Sequence, residues 1–182
     1  MICLSCAEPA AGSLCGACLG TLGPAPERYL RGVLVRSGFG HTGAARRLVH
    51  RLKYEGLLSA AGPLAGAMAL VLPETTTALV PVPRVKARRW RHGVDPAMEL
   101  ATSLSSITGL PVVEALRPAM WVARRAGPAG RHRGHPRFVA IRRADRAAVL
   151  IDDVVTTGTT IGVAAAVTGL SRAVTATAGL RP

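Results

Sequence analysis

Aromatic residues make up only 3% of this 182-residue chain: two Trp, two Tyr and two Phe. The hydrophobic content is nonetheless 49%, so the core must be built from Ala, Val and Leu. Carboxylates are scarce as well, with 10 Asp+Glu against 23 Lys+Arg and a formal net charge of +13. That imbalance turns attention to anions as ligands. No apolar run reaches the ~20 residues that a membrane-spanning helix needs. Leu57 to Leu72 comes closest, and it is Ala/Gly-rich and too short. Met1-Ile2-Cys3 shows neither the charged nor the apolar region of a secretion signal, so a soluble protein of the cytoplasm, without membrane insertion, is expected. The length suits one principal domain and a small accessory unit, and no internal repeat is present.

Cysteine is absent beyond residue 18. Cys3, Cys6, Cys15 and Cys18 form two C-x2-C pairs separated by eight residues. Each pair lets two thiolates converge on one metal from a single tight turn, and two pairs complete a tetrahedral zinc site. The rival is a pair of disulfides, which a reducing cytosol disfavours. Four thiolates close the coordination sphere, so the zinc would be structural. It would organise residues 1–22, too few to build a core of their own, ahead of a main domain over 28–182.

The most informative segment runs Val149-Leu150-Ile151-Asp152-Asp153-Val154-Val155-Thr156-Thr157-Gly158-Thr159-Thr160. Ala147 to Ile151 is short, apolar and branched, as in a strand buried in a parallel sheet. Two adjacent Asp residues at its end need hydroxyl donors or a cation to remain ionised there. The vicinal hydroxyls of a ribose would supply such donors. Gly158 permits close backbone approach, and the following helix aims its positive end at an anion. A plain strand-loop-helix with an Asp/Thr cap is the simpler account, but capping needs one Asp and one Thr. The order of parts fits a sugar phosphate.

Basic residues concentrate in two runs. Arg84, Lys86, Arg88, Arg89 and Arg91 follow Pro81-Val82-Pro83. Arg124, Arg125, Arg131, Arg133, Arg137, Arg142 and Arg143 fill the approach to the Asp-Asp strand, with His132 and His135 among them. They suit pyrophosphate, a phosphorylated substrate or nucleic acid, or else form a solvated face. Trp90 and Trp121 flank the runs, placed to stack on a base or to anchor a loop.

The remaining pattern predicts strands at Tyr29 to Phe39, Ala78 to Val82, Pro111 to Leu116 and Ala173 to Leu180. Helices are predicted at Ala44 to Tyr54, Leu57 to Leu72, Pro96 to Ile107 (Asp95 as N-cap) and Ile161 to Leu170. Ala119 to Phe138 reads as one long loop. Alternating strands and helices imply an α/β fold: a parallel sheet flanked by helices, with ligands at the C-terminal strand ends.

The Asp-Asp-x-x-Thr-Thr-Gly-x-Thr segment resembles the phosphoribosyl-pyrophosphate (PRPP) signature of type I phosphoribosyltransferases. With the four-cysteine knuckle, His50-Arg51-Leu52-Lys53-Tyr54-Glu55-Gly56 and Leu79-Val80-Pro81-Val82-Pro83, the likeness narrows to the ComF family. Those amidophosphoribosyltransferase-like proteins are linked to DNA uptake in competent bacteria. The resemblance implies a type I phosphoribosyltransferase-like sheet binding PRPP with Mg²⁺. Asp152 and Asp153 would hold the ribose, and Val154, Thr156, Thr157, Gly158, Thr159 and Thr160 would form the phosphate loop. Pro83 and Arg84 would meet pyrophosphate, Arg88 or Arg91 would neutralise it, and Lys53 would contact phosphate. The long Arg/Gly loop would be a lid.

The family's Arg-Gly-aromatic-Asn-Gln run reads here Arg91-His92-Gly93-Val94-Asp95-Pro96, and Arg124 to Gly130 lacks the expected Gln. Amide side chains suit base recognition, so these departures fall on the acceptor site rather than the PRPP site. The expected function is phosphoribosyl transfer to, or hydrolysis with, an unidentified amine or base. The alternatives are a non-catalytic PRPP sensor or single-stranded-nucleic-acid binder, and a docking module for DNA-uptake or recombination proteins.

Overall fold

Strand Val149–Val155 carries the fold because both of its faces are buried. In the computed structural model, which describes residues 1–84, 94–119 and 138–179, Val149 and Ile151 pack into one apolar cluster and Leu150 into another. A strand so covered reads as an unbroken apolar run. The strands in chain order are β1 (Arg28–Leu30), β2 (Val33–Gly40), β3 (Leu79–Pro81), β4 (Leu116–Pro118), β5 (Phe138–Ala140), β6 (Val149–Val155) and β7 (Arg172–Ala178). The main sheet has five strands in the order β1-β2-β7-β6-β3. Only the β1–β2 pairing is antiparallel. β4 and β5 form a separate antiparallel ribbon.

The helices are α1 (Gly16–Leu19), α2 (Gly43–Tyr54), α3 (Ala61–Val71), α4 (Pro96–Thr108) and α5 (Thr159–Thr168). α2, α3 and α4 supply Leu48, Leu52, Leu64, Met68, Leu100 and Leu104 to the cluster on one face of the sheet. α5 covers the other face with Ile161, Ala164 and Ala165. The expected α/β architecture, a mostly parallel sheet between helices, is present. Among the described residues no helix is long and apolar enough to cross a membrane.

Four elements differ from expectation. The strand predicted at Tyr29 to Phe39 is a hairpin, in which Leu30 pairs with Val33 across a two-residue turn. Arg31 and Gly32 take φ of 51° and 81°, the left-handed pair that a tight hairpin requires. The helix predicted at Leu57 to Leu72 begins as a 3-10 turn, Leu58–Ala60, before α3. Of Pro111 to Leu116, Val112 forms an isolated bridge with Leu79 and Leu116 opens β4, with no strand between them. Leu79 N–H donates outward to Pro111 O, but Pro81 and Pro83 have no N–H with which to continue the ladder. Lastly, β6 runs to Val155, so Asp152 and Asp153 lie within the strand rather than beyond it.

Asp95 stands at the N-cap of α4, yet its side chain caps no helical amide; its Oδ2 accepts from Arg84 N–H at 3.2 Å. Tight contact between β2 and α3 depends on Gly38, where an added Cβ would lie 2.9 Å from Ala67 Cβ and 3.1 Å from Ala67 C. The second neighbour is backbone and cannot rotate away. Gly38→Ala is therefore expected to destabilise the protein by about 1–3 kcal/mol as overpacking. A urea unfolding curve for this variant matching wild type would refute the close packing.

Candidate functional site

The C-terminal ends of β6, β7, β2 and β3 bring chemically active side chains together. At the end of β6 the two carboxylates diverge, as neighbours on a strand do. Asp153 is buried, and its Oδ2 lies 2.6 Å from Lys53 Nζ at the last turn of α2. Asp152 lines a small cradle of about 50 Å³ with Val154, Val155, Thr156, Thr157, Gly158, Thr159, Thr160 and Ile161. Its Oδ1 accepts from Asp153 N–H at 2.8 Å. Burial, and then the charge of Asp153, hold the Asp152 carboxyl well above the usual range despite that amide and Lys53. A group so placed gains from any hydroxyl donor or cation brought to it.

Gly158 is the N-cap of α5, with φ 70°. A Cβ there would lie 2.7 Å from Leu30 Cβ, so the β1–β2 hairpin seats the loop from outside. No side chain caps α5, and Thr157 and Thr159 hydroxyls lie 3.0 Å apart beside the cradle. The first-turn amides and hydroxyls are thus disposed to meet an anion.

Arg84 is otherwise engaged. Its Nη1 donates to Lys53 O at 3.1 Å and to Val94 O at 3.4 Å, and its guanidinium lies 5.6 Å from the Tyr54 ring centre. The side chain thereby ties the segment after β3 to the end of α2. Pro83 lines a separate cavity of about 180 Å³ with Pro81, Asp95, Met98 and Glu114. Arg88, Arg91, Trp90, Trp121, Lys86, Arg89 and the basic run from Arg124 to Arg137 lie outside the described residues.

Sequence reasoning passed over His41 and Thr177. His41 follows β2, and its Nδ1 lies 2.8 Å from Thr177 Oγ1 on β7. The sequence signal was slight: one histidine after a glycine-rich strand end, and Thr175 and Thr177 at alternate positions of an Ala/Val strand.

The four cysteines converge. One sulfur from each lies within 4.8 Å of the others, none forms a disulfide, and Cys3 and Cys18 are buried. Burial would raise the Cys3 thiol, but backbone N–H groups of Cys15, Cys6 and Ser5 bring it down to about 6. Cys6 is pushed up to about 12; an N–H of Glu8 lowers it, and the neighbouring thiols outweigh that. Four mutually close thiolates call for a cation, and this cluster can hold a metal ion.

The knuckle is fastened to α2. Arg47 Nε donates to Ser5 Oγ at 2.9 Å, and Arg47 Nη2 lies 3.5 Å from Cys18 Sγ. Arg51 Nη1 donates to Leu4 O at 3.0 Å. Thr21 Oγ1 donates to Cys18 O and accepts from Ala44 N–H, capping the helix from the knuckle.

Compared with known proteins, the chain matches no protein-family model and no curated protein.

Two outcomes are expected at these sites. Arg47→Ala removes a donor to a thiol of the four-cysteine cluster and should weaken Zn²⁺ or Co²⁺ affinity by about 10–100-fold in competition with a chromogenic chelator. Unchanged affinity would remove Arg47 from that role. Asp152→Asn should stabilise the ligand-free protein at pH 7, because burial and the neighbouring Asp153 charge disfavour the ionised carboxyl. The folded carboxyl binds its proton more tightly than the unfolded one, so its cost grows as pH rises above the unfolded value of 3.8. Denaturant titrations should therefore show the advantage of Asn shrinking towards pH 4; an advantage independent of pH would contradict this origin.

Proposed function

We propose that this chain is a phosphoribosyltransferase-fold protein of the ComF type, which binds PRPP with Mg²⁺ at the ends of β6 and α5. It would transfer the phosphoribosyl group to an amine or base, or hydrolyse it. One observation carries this reading: a single strand-loop-helix joins a doubly buried strand, two carboxylates and an uncapped Thr/Gly cradle in continuous order. The cradle suits the 5-phosphate, through α5 amides and the hydroxyls of Thr156, Thr157, Thr159 and Thr160. Asp152, short of donors, suits a ribose hydroxyl. Asp153 and Lys53 hold each other in register beside it. When bound with PRPP, Mg²⁺ would supply positive charge against the phosphate oxygens beside Asp152. The four-cysteine cluster is read as a structural zinc site, since four thiolates leave no open coordination position.

The net charge of +13 favours a second reading, in which the same fold senses PRPP without turnover or binds single-stranded nucleic acid. Calorimetric titration of the zinc-loaded protein with PRPP and Mg²⁺ separates the two. Heat of binding that disappears in Asp152→Asn/Asp153→Asn supports the first reading, and pyrophosphate release then distinguishes transfer from sensing. No binding by the intact protein would overturn it. Oligonucleotide affinity falling with salt at a slope near roughly −0.7 per neutralised phosphate would instead support the nucleic-acid reading.

A further inference from the structure

His41 is held by its main chain and its ring at once. Its N–H donates to Ala178 O at 2.7 Å, and its Nδ1 lies 2.8 Å from Thr177 Oγ1. That hydroxyl also lies 3.4 Å from Asp153 O, to which it donates. Asp153 O is thus one acceptor within reach of the Thr177 hydroxyl proton, and a carbonyl can only accept. With its proton turned to Asp153 O, Thr177 accepts from His41, and the ring then carries its proton on Nδ1 and a bare lone pair on Nε2. Among the described residues none donates to Nε2. The ring is half-buried at the same C-terminal sheet edge as the acidic pair, two strand positions or roughly 10 Å from β6.

We propose that His41 is the proton acceptor of this site: a neutral imidazole, set in its Nδ1–H form by Thr177, whose Nε2 takes the proton of the attacking nucleophile. This rests on the phosphoribosyl-transfer reading. An N–H or O–H nucleophile forms a bond to the anomeric carbon as the bond from that carbon to pyrophosphate oxygen breaks. The bonding pair leaves with pyrophosphate, the nucleophile's proton passes to Nε2, and Nδ1–H stays on Thr177. The charged groups around the ring suit the task. Burial and then Arg46 of α2 lower its proton affinity, as does Lys53, while Asp153 of β6 opposes them and would stabilise the imidazolium once formed. The resting ring is thus an unprotonated base at neutral pH.

The tautomer is tested without any ligand. Long-range proton–nitrogen NMR on protein with ¹⁵N-labelled histidine, His41 being assigned by its loss in His41→Gln, should show Nδ1 protonated and Nε2 bare. Thr177→Val should move the ring towards the Nε2–H form. An Nε2–H ring in the intact protein would overturn the proposal. The catalytic part is tested by pyrophosphate release from PRPP and Mg²⁺, with ammonium or water as nucleophile. His41→Gln should lower kcat by about 10²–10⁴-fold, leave PRPP affinity within about threefold, and flatten the acidic limb of the pH–rate profile. Unchanged turnover, parallel losses of affinity and rate, or PRPP binding without pyrophosphate release would each refute the role of His41. Failure of the intact protein to bind PRPP would refute the underlying reading instead.

Discussion

Placing two ionisable groups at the end of a strand buried on both faces imposes a constraint that the surrounding structure is arranged to meet. Asp153 cannot remain charged in that position alone, and Lys53 meets it at 2.6 Å. To deliver that ammonium, α2 must end within side-chain reach of Asp153, and its position is secured by Leu48 and Leu52 in the core. Arg84 then holds the last turn through Lys53 O. Asp152 receives no such partner and keeps a raised proton affinity. The two carboxylates thus differ: one is paired within the fold, while the other has no cation within salt-bridge distance among the described residues.

The same helix serves the metal cluster. Thr21 caps its first turn, Arg47 and Arg51 bind the knuckle along its middle, and Lys53 reaches the acidic pair from its end. Cys3, Leu14 and Cys18 join the apolar cluster formed by α2, α3 and α4. A segment with few apolar residues thus shares the main core, and its four cysteines can hold a metal ion that would stabilise it further. One rigid element connects the two sites.

Patterns local in the chain were legible. The apolar run Val149 to Ile151, the helix after the Thr/Gly loop and the convergence of the paired cysteines each depend on residues close in sequence, and each is present. Elements governed by pairing were read less well. The hairpin at Arg31-Gly32 was hidden because only one of its turn residues is glycine. The strand expected at Pro111 to Leu116 fails because Pro81 and Pro83 deny it donors, a condition set by its neighbour. His41 and Thr177 are 136 residues apart, and no local pattern links them.

By itself the sequence determined the kinds of chemistry available: four thiols at metal-binding spacing, two carboxylates ahead of an anion-sized loop, a strong excess of positive charge, and an α/β alternation. These follow from composition and short-range spacing, where chain geometry alone restricts what neighbours can do. Only the tertiary structure decided which of those groups meet. It paired Asp153 with Lys53, turned Arg84 onto backbone carbonyls, joined the knuckle to α2 and brought His41 to Thr177. Such partnerships depend on the order of strands in the sheet and on desolvation, both properties of the packed chain rather than of any segment within it.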